Sequence, residues 1–134
     1  MDKKALLRQR GHESIRKILT ESGGVYSSSE VAELLGISLD EVSALVEQRG
    51  MLAIELDDEY QFPTWQIDEN GIVPKFAEIM AMLDTASPIG AVRFFQTFDR
   101  YLGETPIQTL RKNSENQLEL IKQLAKQFNQ QTAR

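Results

Sequence analysis

Cysteine is absent from this 134-residue chain and histidine occurs once, at His12. Those two absences exclude disulfide scaffolds, thiol catalysis, zinc fingers and any histidine-rich metal site. No run of about eighteen apolar residues occurs, so no transmembrane helix is expected. The N-terminus, Met1-Asp2-Lys3-Lys4, has no apolar stretch of the signal-peptide kind, and the expected compartment is the cytoplasm. Also missing are a glycine-rich phosphate loop, a nucleophile elbow and any convergent set of acid, base and nucleophile. The expectation is therefore a protein that is not an enzyme and needs no cofactor and no metal. What remains is ordinary for a water-soluble domain: 41% hydrophobic and 26% charged residues, at a length that suits one domain or two small lobes on a shared core.

Basic charge is scarce in the middle of the chain. Residues 1–20 carry six basic and two acidic side chains, whereas residues 21–60 carry ten acidic ones against Arg49 alone. Residues 85–134 are basic again, with seven cations and four carboxylates. This unevenness bears on any contact with phosphates.

Apolar spacing predicts a helix from Ala5 to Thr20, weakened at Gly11 and ended by Gly23-Gly24. A serine cap at Ser28, or one position either side, precedes a short helix with Val31, Leu34 and Leu35 on its apolar face. Gly36 is placed to close it in the left-handed conformation. Ser38 then caps a second helix with Glu41 completing a capping box, and its stripe is Leu39, Val42, Leu45 and Val46. Two short helices across a Gly-Ile-Ser turn have the spacing of a helix-turn-helix. After Gly50 the pattern becomes strand-like, with Met51 to Leu56 and Tyr60 to Phe62 flanking a polar turn at Asp57-Asp58-Glu59, a hairpin where a wing would stand.

Beyond Asn70-Gly71 the helical period returns over about 74–84. Thr85-Ala86-Ser87 forms a linker, and a further helix is expected over about 89–101. Thr105-Pro106 starts another, and Ser114 with Gln117 opens a last one whose glutamine-rich end from Gln127 is expected to fray. Phe94, Phe95 and Phe98 cannot share one side of a helix, so one ring is left for an interface. Trp65 fits either of two places, a core anchor or a hot spot for a protein partner.

If the second short helix enters a major groove, its outward positions are Asp40, Glu41, Ser43, Ala44, Glu47 and Gln48, followed by Arg49. Ser28 and Ser29 suit a phosphate at a helix N-terminus. The best DNA contacts are therefore Ser28, Ser29, Ser43, Gln48 and Arg49, with the basic N-terminal segment (Lys3, Lys4, Arg8, Arg10) making up positive charge. The competing expectation is a protein-interaction module whose acidic helix-turn-helix never touches DNA.

The segment Ser29–Leu52 (SEVAELLGISLDEVSALVEQRGML) resembles the winged helix-turn-helix of MerR- and excisionase-like proteins. Phe62–Pro74 (FPTWQIDENGIVP) resembles the linking motif of small bacterial proteins related to the MbcA/ParS/Xre antitoxins. Leu102–Leu110 (LGETPIQTL) is similar to the Leu-Gly-Gly-x-x-Pro-x-x-x-Leu core of their C-terminal domain, with Glu104 at the second glycine. Phe94-Phe95 stands where that family has a tryptophan-leucine pair. The resemblance implies an antitoxin-like DNA-binding regulator. It would be a homodimer that binds a cognate protein, such as a toxin, through its C-terminal helices, and its own operator DNA. It puts the partner surface at Phe94, Tyr101, Leu102, Gly103 and Pro106. The fold expected is mainly α: a winged helix-turn-helix with a small β-hairpin, followed by a C-terminal helical bundle. Its parts are a basic helix over 1–24, the helix-turn-helix with hairpin over 25–72 and a partner-binding domain over 73–134.

Overall fold

A computed structural model describes residues 3–132 apart from Thr85 and Ser114. The linker residue Thr85 and the cap expected at Ser114 lie outside the described residues. The chain is mainly helical with small antiparallel sheets.

Helix α1 (Lys3–Glu21) runs unbroken through Gly11. One glycine costs about 1 kcal/mol of helix propensity, which the remaining eighteen positions outweigh. Only Leu19 of this helix is buried, so its C-terminal end is the anchored one. After the Gly23-Gly24 turn come β1 (Val25–Ser27), α2 (Ser28–Leu35) and α3 (Leu39–Glu47). Ser38 with Glu41 forms the expected capping box, and Ser27, one position before Ser28, caps α2 with Glu30 completing a second box. Gly36 closes α2 at φ 66°, with its own N–H and that of Ile37 returned to carbonyls of the last turn. One residue of each apolar pattern behaves otherwise: Leu34 and Leu39 are exposed, because α2 and α3 are too short to bury more than a narrow stripe.

The hairpin forms from β2 (Ile54–Leu56) and β3 (Glu59–Pro63), joined by Asp57-Asp58. Both turn residues have positive φ, 53° and 66°, the conformation a two-residue hairpin turn demands. Strand β1 pairs with the other side of β3, giving a three-stranded sheet in the order β1-β3-β2. A 3-10 turn over Thr64–Gln66 leads to a second small hairpin, β4 (Ile67–Asp68) with β5 (Gly71–Ile72). The C-terminal helices are α4 (Phe76–Met82), α5 (Pro88–Gln96), α6 (Pro106–Arg111) and α7 (Glu115–Thr132). Helix α5 stops five residues short of the expected end, since Thr97 is extended and residues 97–104 form a loop. The glutamine-rich end of α7 stays helical to Thr132, with Phe128 packed on the core.

Two apolar clusters hold the chain. The smaller one gathers Val31, Val42, Met51, Phe62 and Ile67 under the α2–α3 pair. The larger one joins Leu19 of α1 and Leu52, Ile54 and Leu56 beside and within β2 to the C-terminal helices. At its centre Trp65, Phe76 and Phe95 meet, with ring centroids 4.7–6.2 Å apart. Trp65 is 5% exposed, so of its two expected places it occupies the core.

Candidate nucleic-acid and partner interfaces

The N-terminus of α2 and the tip of the β2–β3 hairpin lie side by side. Ser27, Ser28 and Ser29 line one side of a shallow depression, and Asp58, Glu59 and Tyr60 the other. Ser27, not Ser28, is the cap: its Oγ accepts from the Glu30 N–H at 3.1 Å, while Glu30 Oε1 accepts from the Ser27 N–H at 2.9 Å. Ser29 is exposed and Ser28 half-buried. Any phosphate seated here would meet the two hairpin carboxylates as well as the helix N-terminus.

Helix α3 buries Val42 and presents Asp40, Glu41, Ser43 and Glu47 to solvent, with Gln48 exposed just beyond it. Three of those four helical positions are acidic. Arg49, expected at the groove, is engaged elsewhere. It takes a left-handed backbone at φ 61° and sends its guanidinium back into the protein, where Nη2 donates to Met80 O at 3.1 Å and Leu83 O at 2.9 Å. Those carbonyls end α4, whose free acceptors and dipole attract a cation. Arg49 therefore ties α3 to the C-terminal helices, and as a DNA contact it is corrected. No basic residue of the α3 region is left for a groove.

Positive charge instead sits on α1. Arg16 pairs with Asp57 at the hairpin turn, and His12 Nδ1 lies 3.4 Å from the same carboxylate. The cations Lys3, Lys4, Arg8, Arg10 and Lys17 are all exposed.

In the C-terminal half the five expected partner residues separate into two groups. Phe94 and Pro106 are buried. Phe94 sits edge-on between Phe95 and Phe128 at 5.3 and 5.5 Å, so it is chiefly a packing residue, and its expected place on an open partner surface is corrected to the inner wall of a groove. Pro106 opens α6 behind the Thr105 cap, inside the fold. Tyr101 is 65% exposed, Gly103 is exposed and Leu102 is half-buried, all on the 97–104 loop. Asp99 shapes that loop by accepting from the N–H groups of Tyr101 (2.8 Å) and Leu102 (3.1 Å). Gly103 closes it at φ 74°, its N–H donating to Asp99 O.

Glu104 accepts from Lys112 Nζ at 2.6 Å and from Thr109 Oγ1 at 2.7 Å. The Lys112 hydrogen bond first, and that of Thr109 second, hold its carboxyl below the usual value. Phe98, 65% exposed, is the ring left outside. Its signal was the spacing of the three phenylalanines, but which ring is left out depends on α5 ending at Gln96. Phe98 and Phe94 border a groove of about 230 Å³ between the end of α5 and the end of α7, with Leu124 and Phe128 on its far wall.

Among the described residues, no three His, Cys, Asp or Glu side chains gather so as to hold a metal ion, and no helix is long and apolar enough to cross a membrane. No protein-family model and no curated protein matches the chain. Among solved structures it is similar to the NMR structure of Rv2175c, at 17% identity and a TM-score of 0.61, over 78% of this chain and 80% of that one. At that identity the likeness concerns the fold.

Proposed function

We propose that this chain is an antitoxin-like regulator with a winged helix-turn-helix at its N-terminal side. In this reading it binds a partner protein through its C-terminal helices and DNA through its N-terminal unit, by non-covalent contact alone. The observation that supports the reading is the order α1-β1-α2-α3-β2-β3 with β1 pairing onto β3, a helix pair beside a three-stranded sheet in which this reading takes the β2–β3 hairpin as the wing. The partner surface is the 97–104 loop and the adjoining groove, where Phe98 and Tyr101 hold two large rings in solvent. Exposed aromatics beside a groove are the usual anchors of protein interfaces. A second copy of the chain and a small cognate protein, such as a toxin, are the partners this reading expects.

The acidic outer face of α3 and the engagement of Arg49 favour a second reading, a protein-interaction module whose helix-turn-helix does not read bases. The deciding experiment is affinity capture of the tagged chain from its host, with protein and DNA in the eluate both identified, alongside a Phe98→Asp variant. A stoichiometric protein partner that disappears with Phe98→Asp, at unchanged thermal stability, is expected. Promoter DNA in the same eluate supports the regulator, and its absence at low salt supports the second reading. Loss of neither on Phe98→Asp overturns the partner surface.

A further inference from the structure

The DNA reading leaves an electrostatic gap, since α3 and the hairpin tip are both acidic while duplex DNA carries about one negative charge per 1.7 Å of its axis. Helix α1 holds what is missing. Lys3, Arg10 and Lys17 are seven residues apart, and 3.6 residues per turn leaves such positions within about 20° of each other at every step. They form one strip along the helix, with neighbours about 10.5 Å apart. All three are exposed, and among the described residues none has a carboxylate within ion-pair distance. Arg16 and His12, which do face a carboxylate, turn to Asp57 from another side of the helix.

The anchoring of α1 is one-sided. Leu19 is buried near its C-terminal end and Arg16 is pinned at the hairpin turn, so residues 3–10 run on past the wing with every side chain but Ala5 exposed. Lys4 and Arg8 add cations to this free half. Leu6 and Leu7 are exposed there too, but their helical angles fall on opposite sides of the Lys3–Arg10–Lys17 strip. A membrane-surface helix needs its apolar residues on one face and its cations on the other, and this arrangement interleaves them.

We infer that the Lys3–Arg10–Lys17 strip of α1 is a docking surface for the phosphodiester backbone of duplex DNA, supplying the charge neutralisation that α3 and the wing lack. This rests on the DNA reading above. The strip positions and carries no sequence information, which is left to Ser43 and Gln48.

The test is the salt dependence of binding to a mixed-sequence duplex a few helical turns long, for the wild-type chain and for Lys3→Gln/Arg10→Gln/Lys17→Gln. Glutamine is a comparable helix former, and circular dichroism checks that α1 persists. A charge-keeping control, Lys3→Arg/Lys17→Arg, should bind as the wild type does. The slope of log K against log salt is expected to fall by about 2.7 in magnitude on loss of the three contacts. An unchanged slope in a wild type that does bind overturns the strip and leaves the DNA reading standing. No wild-type binding at low salt overturns both. Binding to anionic phospholipid vesicles in preference to the duplex, or a change of oligomeric state on removing the three charges, overturns the strip in favour of a membrane or a second copy.

Discussion

Gln66 is fully buried, yet its amide wastes nothing. Oε1 accepts from the Leu52 N–H at 2.8 Å, and Nε2 donates to Leu52 O at 2.8 Å and to Pro63 O at 3.1 Å. The side chain thus pairs with the backbone just ahead of β2 as a neighbouring strand would. Gln66→Leu keeps the volume and strands a buried donor and acceptor on Leu52. Each unmade buried bond costs about 1–3 kcal/mol, so urea unfolding should register a loss of about 2–6 kcal/mol. Arg49 makes a different prediction. Arg49→Ala removes both donors to the end of α4, charged hydrogen bonds worth about 1.5–3 kcal/mol. It also keeps a Cβ at φ 61°, which Arg49→Gly does not. A left-handed residue with a Cβ costs about 1–2 kcal/mol, so the glycine variant should be the more stable of the two. Equal midpoints for the two variants would show that the backbone there is free to relax.

At the scale of elements, the 97–104 loop and α6 are joined through Glu104, and pH should reveal it. The folded carboxyl lies below its ordinary value of 4.5, held there by Lys112 and Thr109. In the window between the two values the unfolded chain binds more protons, so stability rises with pH across it. The contribution is complete above the ordinary value and is lost as pH falls through the lowered one. Glu104→Gln cannot ionise, and its urea midpoint should approach that of the wild type as pH falls from 4.5 through the lowered value. A gap constant from acid to neutral pH would mean that the Lys112 contact does not survive in solution. Local codes of this kind are what the sequence makes legible. Ser38 with Glu41, Gly36 and Thr105-Pro106 each act within four residues of themselves, and each stands where its spacing predicts. The misplacements come from long-range partners. Arg49 looks like a groove contact until α4, thirty-one residues on, offers its carbonyls. Phe94 looks like a surface ring until Phe128 covers it. The strand β1 is too short to stand out from its neighbours, and only pairing with β3 defines it.

The whole molecule divides less cleanly than its sequence. A boundary near residue 72 separates the α2–α3 pair from the C-terminal helices, but β2 turns Ile54 and Leu56 into the same cluster as Phe76, Phe95 and Ile121. Leu19 of α1 joins that cluster too, and Arg49 and Gln66 add polar ties across or beside the boundary. Cutting there would expose Leu19, Leu52, Ile54 and Leu56 together, at about 1.5–3 kcal/mol for each large side chain. A fragment of residues 1–72 has only the five-residue core of Val31, Val42, Met51, Phe62 and Ile67 to set against that exposure, and fragments of such size are marginal even with an intact core. The intact chain should accordingly unfold in one step, with calorimetric and van't Hoff enthalpies equal, and the 1–72 fragment should lack cooperative unfolding. Two resolved transitions, or a fragment that melts sharply alone, would make the lobes independent and confine Arg49 to tethering them. A single transition has a functional consequence. A partner that binds at Phe98 and Tyr101 then stabilises the core on which α1 and the hairpin rest, so its binding free energy reaches the N-terminal unit through packing.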